Sequence, residues 1–284
     1  MGMTAHDHDD LHDRGLQFDL STLTGLLRRR RLLGLFAGAG AAAALAACGD
    51  EATPTSASPS TSAPSASAST PASGGSSYTE IPEETAGPYP GDGSNGPNVL
   101  SQSGIVRSDI TTSFGSGSGT AAGVPLTINL TVLALDRGAA AYSGAAVYLW
   151  HCDREGRYSM YSEGVQNENY LRGVQEANGT GLVTFRTIFP AAYSGRWPHV
   201  HFEVYPTLSG ATSSGNRITT SQLALPEAVC DAVYATDGYS ASVRNMERTS
   251  LTSDMVFRDG WTTQLATVTG DVSSGYVANL TVPV

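Results

Sequence analysis

The 284 residues contain no lysine. Every permanently charged basic side chain is therefore one of 16 arginines, set against 26 aspartates and glutamates for a formal net charge of −10. So acidic a chain is poorly suited to gripping nucleic acid or an anionic membrane through charge, although a small pocket can differ in sign from the whole. Cysteine is scarce at three residues, and helical stretches are few. The apolar run 32–47 falls short of the roughly 20 residues that span a bilayer, which argues against a permanent membrane helix there.

What is present divides the chain into three parts. Arg28–Arg31 lead into the apolar run, which closes on small residues at Cys48. Residues 1–47 read as a cleaved export signal of twin-arginine or Sec type, and Leu45-Ala46-Ala47-Cys48 resembles a bacterial lipobox whose cysteine is lipidated. The chain is then expected to be exported, either secreted or held at the outer face of the cytoplasmic membrane by a lipid on Cys48. His6, His8 and His12 precede this signal and should be absent from the mature protein. Residues 48–78, almost wholly Ala, Ser, Thr, Pro and Gly, carry too little apolar bulk to offset ordering entropy and read as a disordered tether. Removing 1–47 takes away five charges of each sign, so the mature chain stays at −10.

Residues 79–284 read as one all-β domain. The segment 126–135 alternates Leu126, Ile128, Leu130 and Val132 with mostly polar neighbours, the period-2 pattern of a half-buried strand. Segments 145–151, 182–188, 199–205, 217–225, 263–268 and 276–282 have similar length and β-branched content between Gly, Ser, Asn and Pro punctuation. Many short strands with one or two short helices predict an antiparallel β-sandwich. One helix is predicted at 226–234, opened by Pro226 with Glu227 in its first turn. Cys152 and Cys230 form an even pair in an exported domain, which suggests a disulfide worth on the order of 4 kcal/mol; the alternative is two separate buried thiols.

The stretch 150–205 concentrates the chemistry. His199 and His201 lie two apart in an apolar run, so a strand puts both imidazoles on one face, where they can hold one metal ion. Tyr193 precedes them after a short turn, and Tyr158 follows a strand in a Gly-Arg-Tyr turn. Ionising a free phenol at pH 7 costs about 4 kcal/mol, which a trivalent iron can supply. A zinc or copper site would more often recruit cysteine or a third histidine. His151 reads as a structural group or a support behind the ligands.

Gly156-Arg157-Tyr158, FRTIFPAAY ending at Tyr193, and RWPHVHF at 196–202 resemble the intradiol ring-cleavage dioxygenases, the family of catechol and protocatechuate 3,4-dioxygenases. Glu84–Tyr89 (ETAGPY) and Ile218–Leu223 (ITTSQL) add two further matching pieces in the same order. The resemblance implies the same sandwich fold and non-haem Fe(III) held by Tyr158, Tyr193, His199 and His201. It implies that Tyr193 leaves the metal when a catechol binds through both oxygens, and that the ring opens between the hydroxylated carbons to a muconate-type diacid. It further implies that Arg196 stabilises charge on the ring under attack, Gln222 lines the oxygen side of the pocket, and Tyr89 forms a wall of the substrate cleft. The partners are then a small aromatic diol and O2, with no nucleic acid. Only five residues separate Tyr193 from His199, fewer than in the better-known members, so substrate preference does not carry over. Two other readings remain open at this level: a zinc- or copper-binding sandwich using the H-x-H alone, and a non-catalytic sandwich that binds carbohydrate or cell-wall ligands. Nothing in the sequence fixes the oligomeric state.

Overall fold

A computed structural model describes residues 78–284. The signal, the tether up to residue 77, Cys48 and the three N-terminal histidines lie outside the described residues.

The period-2 segments form the two faces of a sandwich. One sheet is built on β1 (Pro125–Ala134), flanked on one edge by β2 (Ala140–Ala141) and β5 (Leu182–Ile188). On its other edge lies β9 (Gly275–Pro283), followed by β8 (Thr267–Asp271). The second sheet runs β4-β3-β6-β7, from β3 (Ala146–Trp150), β4 (Arg172–Glu176), β6 (His199–Tyr205) and β7 (Thr219–Ala224). All its pairings are antiparallel. In the first sheet one pairing departs from the antiparallel expectation: β1 and β9 run parallel, with Leu126 opposite Tyr276 and Val132 opposite Val282. Strands from opposite ends of the domain meet there, joined by a long path that no local turn signal reports. Helices α1 (Glu227–Tyr234) and α2 (Ser240–Met246) follow β7.

Leu126, Ile128, Leu130 and Val132 of β1 face Val147 and Leu149 of β3 and Val200, Phe202 and Val204 of β6 across the main core. Each such side chain, fully buried, contributes about 1.5–3 kcal/mol. The four-stranded sheet is covered on its outer face as well. Tyr148, Trp150 and Tyr205 belong to a second core with Val99, Leu100, Ile105, Tyr158 and Val174. The chain before β1 supplies part of this cover: Glu84 N–H donates to Thr220 O at 2.8 Å, and Ser221 Oγ donates to Pro82 O at 2.7 Å. Alternation along β6 therefore sends Val200, Phe202 and Val204 into the main core and His199 and His201 under the outer cover.

β4 has no counterpart among the predicted strands. Its five residues, RGVQE, include one large aliphatic side chain. Gly173 is needed because a Cβ there would run into Ile110, and the buried Arg172 guanidinium is satisfied by tertiary partners.

The suggested disulfide is corrected. Cys152 and Cys230 are both free and buried. Cys152 packs in the outer core with Sγ directed at Ala191 O, 3.6 Å away, whereas Cys230 on α1 packs in the main core. Burial raises both thiol pKa values above the ordinary range.

Candidate metal centre

His199 opens β6 directly after Pro198. Its Nδ1–H donates to Trp197 O, which fixes the tautomer and leaves the Nε2 lone pair free to point outward. His201 sits opposite Trp150 in register, and the two rings stack at 4.9 Å and 6°. Tyr158 comes from the turn after β3. Asp153 Oδ1 accepts from the N–H groups of Glu155 (3.0 Å) and Arg157 (2.9 Å), and Gly156 closes the turn at φ +85. A Cβ on Gly156 would meet Tyr193 Cβ at 3.4 Å, so the turn lies directly against the second tyrosine.

These four side chains converge. Tyr158 Oη lies 3.4 Å from Tyr193 Oη and 3.3 Å from His201 Nε2. Tyr193 Oη lies 3.1 Å from His199 Nε2, and the two Nε2 atoms are 3.1 Å apart. The result is a closed ring of two phenolic oxygens and two imidazole nitrogens. Metal bonds of about 2.1 Å set at roughly 95–110° hold neighbouring donors about 3.1–3.4 Å apart, so the ring has the size a single ion requires. Among the described residues no group of three or more His, Cys, Asp or Glu is placed to hold a metal. Any ion at this spot therefore has to use the phenols.

Electrostatics fit a hard cation. Burial pushes both imidazoles well below their ordinary pKa, with the Arg196 charge adding to the effect, so both present lone pairs. Burial raises the Tyr158 phenol well above 10, and the Arg196 guanidinium opposes part of that rise. A cation in the ring is what would make Tyr158 a phenolate at neutral pH. His201 Nδ1 is buried with no hydrogen-bond partner, so the Trp150 stack rather than a hydrogen bond orients that ring. Tyr158, His199 and His201 are buried; Tyr193 is partly exposed and forms the solvent side.

The remaining predicted residues lie around this ring. Arg196 is buried; its Nη2–H donates to Gln222 Oε1 at 2.6 Å, and Gln222 Nε2–H donates to Thr85 O at 2.8 Å. Gln222 is paired in register with His201. The Tyr89 ring packs at a tilt against Tyr158 (centroids 5.2 Å apart, 40°) and Tyr161 (5.1 Å, 49°). His151 takes no part in the ring: its Nδ1–H donates to Cys152 O (2.8 Å) and its Nε2 accepts from Thr187 (2.7 Å).

Three supporting residues were not singled out by sequence reasoning. Trp150 stacks on His201. Arg172 donates to Tyr89 O, Pro90 O and Ser159 O, fastening the Tyr89 segment to the turn that carries Tyr158. Asp254 holds Arg196. None carries a local motif; the stretch before Trp150 shows only that it ends a strand.

Residues 95–204 match the family model described as Dioxygenase, a span containing all four ring residues and Arg196 but neither Tyr89 nor Gln222. Among solved structures, the chain is similar to an intradiol ring-cleavage dioxygenase from Tetranychus urticae. That match has a TM-score of 0.57 at 22% identity and covers 72% of this chain and 94% of that one. The dioxygenase Tetur07g02040 aligns with a TM-score of 0.56 at 23% identity, covering 72% and 93%. No curated protein sequence matches. Sequence model and architecture agree: the chain resembles the intradiol ring-cleavage dioxygenases over the heart of its site and shares their fold.

Proposed function

We propose that this protein is a non-haem Fe(III) intradiol dioxygenase that opens a catechol-type ring between its two hydroxylated carbons and yields a muconate-type diacid. The observation that carries the reading is the closed ring of Tyr158, Tyr193, His199 and His201 with 3.1–3.4 Å edges. Ferric iron held there would act as a Lewis acid that favours the deprotonated diol and draws electron density from it, which opens the ring carbon to O2. Both oxygen atoms of O2 end in the product, so the reaction needs no external reductant.

The chain's own residues supply the rest. Tyr158, His199 and His201 are fixed by the turn, the Trp197 carbonyl and the Trp150 stack, and they would hold the iron throughout. Tyr193, on the solvent side, is the residue placed to yield to substrate; as a phenolate its Oη would take up one of the two diol protons, and the other would leave to solvent. Arg196 offers a buried positive charge to the anion that develops on the ring. Gln222, bonded to Arg196, lines the oxygen side, and Tyr89 gives the substrate an aromatic wall. Export, and a lipid anchor on Cys48, belong to the same proposal and are supported by the Arg28–Arg31 and Leu45–Cys48 patterns.

The deciding experiment combines elemental analysis, visible absorption and oxygen uptake on the purified mature chain with catechol, protocatechuate and hydroxyquinol. The expected result is about one iron per chain, a visible tyrosinate-to-iron band that shifts on adding a diol, and oxygen consumption with at least one substrate. Protein that stays colourless after reconstitution with iron would refute it, and tightly held zinc or copper would favour the H-x-H metal protein instead.

A further inference from the structure

We propose that Asp254 is the positioning residue for Arg196, holding the guanidinium in the one orientation from which it can stabilise charge on the reacting ring. The proposal rests on the functional reading above and adds to it a residue far away in sequence. Asp254 is completely buried in the irregular stretch after α2. Its Oδ2 accepts from Arg196 Nε at 3.0 Å and from the Trp197 backbone N–H at 2.6 Å; its Oδ1 accepts from the N–H groups of Val256 (2.8 Å) and Phe257 (3.1 Å). The carboxylate thus grips both the side chain of Arg196 and the backbone that leads into His199, and its own position is set by the turn that follows it.

Arg196 is held at a second point. Its Nη2 donates to Gln222 Oε1 at 2.6 Å; Gln222 Nε2 donates in turn to Thr85 O, and the Gln222 carbonyl accepts from Gln264 Nε2 at 3.1 Å. A planar guanidinium fastened through Nε on one side and Nη2 on another has little freedom left to rotate. Neither anchor by itself would fix the plane. The chain Asp254–Arg196–Gln222–Thr85 spans four separate segments, which is why no motif around Arg196 announces it.

The substitution Asp254→Asn separates positioning from folding. The Asn carbonyl oxygen can still accept from Val256 and Phe257, but its NH2 would then confront two donors, Arg196 Nε–H and Trp197 N–H, so the grip on Arg196 and on the Trp197 N–H is lost while the turn after residue 254 keeps its bonds. We expect D254N to keep its iron, its visible band and a KM within about threefold of wild type. Its kcat should fall about ten- to hundredfold, the scale associated with a displacement of roughly 1 Å in a positioned group. In metal-free protein, one slowly exchanging arginine Nε–H resonance should be lost. The double variant R196L/D254N should be no slower than R196L alone, because two residues acting as a unit do not cost twice. Should D254N fail to fold, R196K serves in its place: it keeps the charge but lacks the fork that reaches both anchors, and its kcat should fall similarly.

A D254N enzyme with wild-type kcat would overturn the proposal. So would a loss of turnover that merely tracks lost iron, or single-variant losses that multiply in the double variant. If D254N does not fold, an R196K enzyme with wild-type kcat would overturn it equally. Wild-type protein without iron or turnover would overturn the functional reading itself and the role of Asp254 with it. An active wild type alongside an unaffected D254N would overturn only the latter.

Discussion

Tyr158→Phe tests the metal centre most directly, because it removes one oxygen and little else. In the metal-free protein that oxygen makes two long contacts, 3.4 Å to Tyr193 Oη and 3.3 Å to His201 Nε2. Losing them should cost no more than about 0.5–1.5 kcal/mol each. With iron the balance changes. An ordinary phenol costs about 4 kcal/mol to ionise at pH 7, and burial raises the cost for Tyr158, so the metal–phenolate bond has to supply more than that. Removing even a group that only supports a metal ligand typically weakens metal binding 10- to 100-fold. Loss of the ligand itself should exceed a hundredfold, which erases about 2.7 kcal/mol or more of iron-linked stabilisation at saturating metal. The assay is iron per chain after gel filtration, the visible spectrum, and thermal melting with and without ferric iron. Y158F should melt close to wild type without metal and gain almost nothing when iron is added. A variant with full iron occupancy and an unchanged band would show that Tyr158 is not a ligand.

Other consequences can be checked separately. Arg196→Leu should retain iron but slow turnover about 10²- to 10³-fold, and it should lose stability because Asp254 is left buried without its cation; undiminished turnover would reduce Arg196 to a structural role. His151 is held neutral, its pKa lowered by burial to about 4. The unfolded chain, with the ordinary value near 6.5, therefore binds the proton first, and stability present above pH 6.5 is lost as pH falls toward 4, by up to about 3 kcal/mol. Denaturant titrations at pH 7 and 4.5 should show this loss in wild type and a smaller one in His151→Gln; equal losses would contradict the assignment. Denatured, unreduced mature protein should titrate Cys152 and Cys230 as two free thiols, and neither reacting would restore the disulfide.

The sequence by itself determined the strands with strong alternation, such as β1 and β6, because a period of two and a sandwich core are the same physical fact seen twice. It also determined the imidazole pair, since residues two apart on a strand share a face, and the matching motifs implied that Tyr158 and Tyr193 join that pair, beside which both phenols lie. Only the tertiary structure decided the parallel β1–β9 pairing, which depends on the path of the whole chain. It alone revealed β4, where Arg172 and Gly173 are stabilised by distant partners rather than by their own apolar character. It separated Cys152 from Cys230, whose parity in the sequence says nothing about which core each one enters. And it joined Asp254 to Arg196, because a buried carboxylate finds its cation through space, where spacing along the chain leaves no trace.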